Sequence, residues 1–361
     1  VTECDVVIDL QFGSTGKGLI AGVLAKLNGY DTVINANMPN AGHTFIDDSG
    51  REWIHKVLPN GIVGENVKKV MLGPGSIFDL DRLSKEIHNS RDILEGKTIY
   101  VHEDAMVLDS FHKDIEKSSL SNISSTMQGS SAAMIEKIHR DPSNDNRVKS
   151  VFKSTHIAGI PVLPISNSQW LSEVYGSDYM MIEGAQGFSL GLNAGFWPYC
   201  TSRDCTPARF MSDCAVPLKM LRRVIGCART YPIRGGNTSD GYSGGHYSDQ
   251  REVSWEDLGV EPETTTVTGR VRRVFTFSKE QITEAVKMCQ PDEVFLNFAN
   301  YCPDNVGHII SAIEEAQQEY VPGGGSVRFV GFGPKEGDVR IRHFLNPCDY
   351  STSEMDKGWV Q

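Results

Sequence analysis

Hydrophobic positions along the chain fall into two repeating patterns. Short β-branched runs that read as buried strands occur at Val6-Val7-Ile8-Asp9-Leu10, Thr32–Asn35, Lys69–Leu72, Thr98–Val101, Tyr179–Ile182, Val294–Leu296 and Val327–Val330. Between them lie stretches of helical period, Leu19–Leu27 ending near Asn28-Gly29, Leu80–His88, Ser278–Cys289 and Val306–Glu319. Strands alternating with helices predict an α/β fold with a large, mainly parallel, helix-covered sheet. Polar segments at Lys117–Gln128, Pro142–Asn146 and Gly235–Gly245 break the alternation without the composition of linkers. They predict loops inserted into one domain spanning residues 1–361, over about 117–150 and 235–275. No internal repeat is visible.

Composition narrows the function classes. With 361 residues the chain can bury a sizeable core, and its net charge of -11 speaks against tracking a nucleic-acid backbone. A local pocket can still hold one small anionic nucleotide. The 8 cysteines show no C-x-x-C spacing and no companion histidines, which predicts free thiols in a reducing compartment. No apolar run approaches the roughly 18 residues of a membrane helix. A cytoplasmic protein without membrane or nucleic-acid partners is expected.

Four segments carry chemistry. After the first strand, Gly13-Ser14-Thr15-Gly16-Lys17-Gly18 opens a helix, so backbone N–H groups and a helix dipole would face an anion, with Lys17 adding a point charge. The spacing is not that of a Walker A loop, because Gly18 stands where a Ser or Thr would meet magnesium. Asn40-Ala41-Gly42-His43-Thr44 places a histidine in a polar turn, suited to general-acid work or to stabilising a phosphoryl oxygen; alone, such a residue is more often a surface histidine. Glu183-Gly184-Ala185-Gln186-Gly187 leaves a strand and runs toward Tyr199-Cys200-Thr201-Ser202. It overlaps Gly187-Phe188-Ser189-Leu190-Gly191, which satisfies the permissive G-x-S-x-G pattern of serine hydrolases. Thr264-Thr265-Thr266-Val267-Thr268-Gly269-Arg270-Val271-Arg272-Arg273 sets hydroxyls before guanidinium groups, which suits a small dicarboxylate; an exposed basic strand end is the competing reading.

Taken in order, these segments resemble the adenylosuccinate synthetase family. Gly13–Gly18 matches four of six positions of its G-D-E-G-K-G loop. The segments N-A-G-H-T and E-G-A-Q-G are present as written, and Pro198–Ser202 is similar to its P-Y-V-T-S. Thr268-Gly269-Arg270 with Arg272 resembles the aspartate loop, and Gly331-Phe332-Gly333-Pro334 a C-terminal G-x-G-P turn. The resemblance implies a P-loop-NTPase-like fold and a two-step ligase reaction joining L-aspartate to a 6-oxopurine nucleotide. It implies catalytic roles for Ser14, Lys17, His43 and Gln186. The donor nucleotide would lie on Thr15, Gly16, Lys17, Gly18, Thr44, Asn297, Asn300, Gly331, Gly333 and Pro334. The acceptor would lie on Ser14, Asn40, Ser125, Thr126, Gln186 and Thr201, with Arg140 reaching across a homodimer interface. Thr268, Gly269, Arg270 and Arg272 would hold L-aspartate, and Mg²⁺ would meet Ser14 and the Gly42 carbonyl.

Two departures change the expected substrates. The family has Asp where this chain has Ser14, so a carboxylate that binds the purine N1 proton and the metal is gone. The smaller residue leaves room for a base bearing a 2-amino group. The family reads guanine of GTP with an Asp in a K-x-D segment, and the equivalent Leu296-Asn297-Phe298-Ala299-Asn300 has Ala299 in its place. An alanine accepts no hydrogen bond, which favours ATP (or dATP) as donor. Both changes resemble a bacteriophage branch of the family that makes a 2-aminoadenine nucleotide precursor from dGMP, L-aspartate and ATP. Host cytoplasm would then be its location. Ordinary synthesis from IMP, L-aspartate and GTP is the alternative.

Overall fold

Strand Glu3–Asp9 is hydrogen-bonded in parallel to Tyr179–Glu183 on one side and to Leu221–Arg229 on the other. It lies within the principal sheet of a computed structural model that describes residues 2–239, 241–265, 269–342 and 359–360. Among the described residues this sheet has 12 strands. Its parallel members run in the order Ser326–Gly331, Glu293–Asn297, Leu221–Arg229, Glu3–Asp9, Tyr179–Glu183, Thr32–Asn35, Lys69–Leu72, Thr98–His102 and Ile160–Ile165. Antiparallel strands close the edges, Val339–Arg342 and then Trp359–Val360 at one, and His156–Ile157 at the other.

Alternation along the central strand sends side chains to both faces. Val6 and Ile8 pack with Trp170, Phe210, Ile282 and Ile309, whereas Val7 packs with Ile20, Phe45, Ile62 and Val70. Each face is covered by helices, among them Lys17–Leu27 on one and Lys279–Cys289 with Val306–Tyr320 on the other. The α/β fold and every strand expected from the apolar runs are present, with ends shifted by a few residues.

Two of the parallel strands of the principal sheet escape that reading. Leu221–Arg229 opens on two charges ahead of its buried run, and these are paired at long range: the buried Asp5 accepts from Arg222 Nη2 at 2.9 Å and from Arg223 Nε at 2.9 Å. Ile160–Ile165 contains Pro161 and Pro164, tolerated near a sheet edge, where only a short antiparallel segment follows. The expected loop over about 117–150 is corrected in part, since helices Ser110–Ser119, Ser130–His139 and Val148–Val151 occupy it. The second inserted region contributes Glu252–Val253 and Arg273–Phe275 to a small sheet with Ile233–Arg234. Among the described residues no helix is long and apolar enough to cross a membrane.

Candidate functional site

Segments leaving the C-terminal ends of the parallel strands converge on a cavity of about 510 Å³, within the range of small-molecule sites. Ser14, Gly16, Lys17, Gly18, Asn40, Gly42, His43, Thr44, Ser125, Thr126, Gln186, Thr201 and Arg272 line it. Residues far apart in sequence thus reach one space because their strands are neighbours.

Asp9, at the end of the central strand, shapes the glycine-rich loop. Its Oδ1 accepts from the backbone N–H of Gln11 at 2.8 Å and of Gly13 at 3.1 Å; Oδ2 accepts from Thr15 Oγ1 at 2.5 Å and Lys17 Nζ at 3.0 Å. Lys17 also donates to the Gln186 carbonyl at 2.7 Å, so one ammonium ties the phosphate loop to the E-G-A-Q-G segment. Thr15 is therefore turned inward and buried, away from the cavity. Gly16 has φ +94, and a Cβ there would meet Asn297 Nδ2 at 2.2 Å. Asn297 lies beneath the loop, donating to the Thr15 carbonyl at 3.3 Å and accepting from Phe298 N at 2.8 Å. Its amide is committed to holding the loop, and is not presented to a nucleotide base. Gly187 allows a second close approach, since a Cβ there would lie 2.4 Å from Gly13 N.

On the opposite wall His43 Nδ1 meets Glu183 Oε1 at 2.5 Å, and Glu183 Oε2 accepts from Asn60 N at 2.7 Å. A carboxylate only accepts, so Nδ1 carries the proton of this pair and Nε2 is the ring nitrogen left outside it. A further network joins three motifs: Gln186 Nε2 donates to Asn40 Oδ1 at 2.9 Å, and Asn40 Nδ2 donates to Thr201 Oγ1 at 3.3 Å. Arg203, fully buried, supports it from below through Gln186 Oε1 at 3.4 Å while pairing with Asp213 at 3.0 Å.

The third wall is cationic and held by one acid. Arg229 is buried; Nη1 donates to the Ser14 carbonyl at 3.0 Å and to Glu263 Oε2 at 3.1 Å, and Nη2 donates to Glu263 Oε1. Its guanidinium stacks 3.7 Å from the centroid of Phe298. The contact to Ser14 supports a residue at φ +54, the left-handed region that a serine rarely occupies. Burial alone would raise the Glu263 pKa, but the charge and hydrogen bonds of Arg229 outweigh it and hold it below the usual value. Desolvation pulls the Arg272 guanidinium down to about 10, and Arg234, which packs over Phe12 at 4.6 Å, down to about 10 as well.

Other expected residues stand elsewhere. Arg270 donates to the carbonyls of Ser124 at 3.1 Å and Ser125 at 3.4 Å, bridging its own segment to the one around residue 125 without lining the cavity. Gly269 is exposed beside it, and Thr268 lies outside the described residues. Asn300, Gly331, Gly333 and Pro334 follow strand ends on the same side of the sheet, outside the cavity lining. Arg140, exposed at the end of helix Ser130–His139, does not line the cavity of its own chain. The hydrolase reading fails on geometry: Ser189 is buried, with Tyr247 Oη at 3.1 Å and Gln281 Nε2 donating to its Oγ at 2.9 Å, and no histidine is among these partners. Asp9, Arg203, Arg229 and Glu263 were not anticipated as site residues. The only local signal was a charge inside an apolar run or beside a motif.

Among the described residues no group of three His, Cys, Asp or Glu side chains converges as a metal site. Ser14 and Gly42, which line the cavity, offer only neutral oxygen donors, so a divalent cation there would need its charge balanced by a bound anion.

The adenylosuccinate synthetase family profile matches residues 6–159 and 163–304. The chain is 55% identical over 342 residues to the N6-succino-2-amino-2'-deoxyadenylate synthase of Vibrio phage phiVC8, covering 94% of this chain and 98% of that one. It is 44% identical to the protein of the same name from Acinetobacter phage SH-Ab 15497, over 93% of each. Among solved structures, the succinoaminodeoxyadenylate synthetase of cyanophage S-2L, bound to dGMP and to dATP as energy donor, superposes with a TM-score of 0.87 at 36% identity, covering 99% and 98%.

Proposed function

Because the chain belongs to the adenylosuccinate synthetase family, we propose that it condenses L-aspartate with dGMP, using ATP, to give N6-succino-2-amino-2'-deoxyadenylate, ADP and phosphate. It is a carbon–nitrogen ligase. The observation that carries the substrate choice is Ser14, on the cavity wall beside Lys17 and Gln186, where the family's carboxylate would stand. A guanine 2-amino group meets no fixed negative charge and no longer side chain there. The names of the phage relatives support the product, and the dATP bound in the S-2L structure supports an adenine donor, ATP or dATP.

The first step transfers the γ-phosphoryl group to O6 of the purine: the Pγ–O bond to ADP breaks as the Pγ–O6 bond forms, ADP leaves, and the N1 proton passes to solvent water. In the second the aspartate nitrogen bonds to C6, the C6–O6 bond breaks, and phosphate leaves. Gly16, Gly18 and Lys17 hold donor phosphates; His43, oriented by Glu183, stabilises charge on the group in transit. Asn40, Gln186, Ser125, Thr126 and Thr201 orient the acceptor; L-aspartate is received by the segment of Thr268, Gly269, Arg270 and Arg272, with Arg272 on the cavity wall and Arg270 tying the segment to Ser124 and Ser125. Ser14 and Gly42 would hold magnesium together with the nucleotide phosphates, and the ion would supply charge neutralisation there. Arg140 completes the acceptor site of a partner subunit in a homodimer, and the reaction takes place in the cytoplasm.

The decisive assay measures ATP-driven phosphate release with L-aspartate on dGMP, GMP and IMP. Turnover that needs dGMP and aspartate together is expected. Turnover of IMP alone would assign the chain to ordinary adenylosuccinate synthesis.

A further inference from the structure

The cavity is built for anions, and its described lining holds the cations Lys17, Arg234 and Arg272. Among the described lining residues Glu263 is the one carboxylate. An acid in such a place repels phosphates and dicarboxylates, so it needs a reason beyond neutralising one arginine. Its position supplies one. Glu263 opens the segment that continues through Thr264 and Thr265 to Arg272, all lining the same wall, and Arg272 N donates to the Glu263 carbonyl at 2.8 Å.

Its carboxylate is held rigidly yet not used up. Oε2 accepts from Arg229 Nη1, and Oε1 accepts from Arg229 Nη2 and from Tyr301 Oη at 3.2 Å. Two carboxylate oxygens offer about four lone-pair directions, so one remains. The side chain keeps 22% of its surface accessible while Arg229 has none. An amino acid with two carboxylates also carries one ammonium group, and a site of arginines and hydroxyls alone leaves that cation unmatched.

We propose that Glu263 is the residue that receives and aims the amino group of L-aspartate, with Arg229 as its positioning residue. This rests on the aspartate-ligase reading and adds the recognition of the nucleophile to it. Because Arg229 Nη1 also holds the Ser14 carbonyl, the amine acceptor and the wall beside the purine share one anchor.

The test compares Glu263→Gln and Glu263→Asp with the unsubstituted enzyme, using succinate as competitor. Succinate has both carboxylates of aspartate and no amine. In Glu263→Gln the KM for L-aspartate is expected to rise about 10- to 100-fold, as for loss of a hydrogen bond to a charged group, with the KM values for dGMP and ATP unchanged. The inhibition constant of succinate is expected to hold steady or to tighten, because the repelling charge is gone. Glu263→Asp, which keeps the charge and the pairing with Arg229, is expected to fall between and covers a Gln variant that does not fold. An unchanged aspartate KM, or equal weakening of aspartate and succinate, would overturn the proposal. Absence of aspartate-dependent turnover in the unsubstituted enzyme would instead sink the ligase reading.

Discussion

Glu183, at the end of one strand, holds His43, the first residue of the separate strand His43–Ile46, through an Nδ1 to Oε1 contact of 2.5 Å, and its other oxygen is anchored by Asn60 N at 2.7 Å. A histidine so fixed presents one nitrogen in one orientation. Glu183→Gln keeps the shape and removes the charge that sets the tautomer. Its kcat is expected to fall about 100-fold or more, with little change in the KM for dGMP or aspartate. Steady-state kinetics on each substrate separates this from a general loss of binding.

Asp9 bonds two backbone N–H groups, Thr15 and Lys17 at once, and is buried. Asp9→Asn leaves the Lys17 ammonium without its anion inside the protein. A loss of about 3 kcal/mol in unfolding free energy is expected from denaturant titration, together with a raised KM for ATP.

Ser14 stands on the cavity wall with its carbonyl fixed by Arg229. Ser14→Asp returns both volume and negative charge beside the purine. The ratio of kcat/KM for IMP over dGMP is expected to rise about tenfold or more. Ser14→Ala on dGMP is the companion measurement, and unchanged turnover there would remove the hydroxyl from the chemistry.

Arg140 is exposed at a helix end and lines no part of its own chain's cavity. If it serves a partner subunit, Arg140→Ala and Lys17→Ala are each inactive alone. Mixed and re-equilibrated, they are expected to regain activity, because some heterodimer sites hold both native residues. No recovery in a mixture shown by light scattering to form heterodimers would place Arg140 outside the site.

Lys97 is buried, donates to the carbonyls of Ile62 at 2.9 Å and Gly64 at 2.6 Å, and is pulled down to about 8 by desolvation. Its unfolded value is about 10.4, so between these limits the unfolded chain binds more protons and stability rises with pH. The expected slope approaches about 1.4 kcal/mol per pH unit. Unfolding free energies from pH 7 to 10 should show it, and Lys97→Met should flatten it.

The sequence revealed the site where function depends on local spacing. Gly13–Gly18, Asn40–Thr44 and Glu183–Gly187 each follow a strand with a legible apolar pattern, and all reach the cavity. It concealed whatever depends on which strands are neighbours. Arg229 and Ser14 are 215 positions apart, and nothing near either residue announces the other. Asn297 shows the complementary limit: an amide just past a strand reads as a base-binding group, but the local chain does not reveal that its side chain turns under the loop. Leu221–Arg229 was hidden because its charges are matched by Asp5, for Arg222 and Arg223, and by Glu263, for Arg229, partnerships that only the folded chain displays.

The sheet order bears on how the chain is made. Its earliest strand, Glu3–Asp9, takes both its lateral partners from residues 179–183 and 221–229. During synthesis that segment keeps both edges open until residues 179–183 have left the ribosome, and one edge open until residues 221–229 have. Truncated nascent chains ending before Leu221 should therefore remain protease-sensitive around the glycine-rich loop, and nucleotide-dependent protection should arise abruptly once Arg229 has emerged.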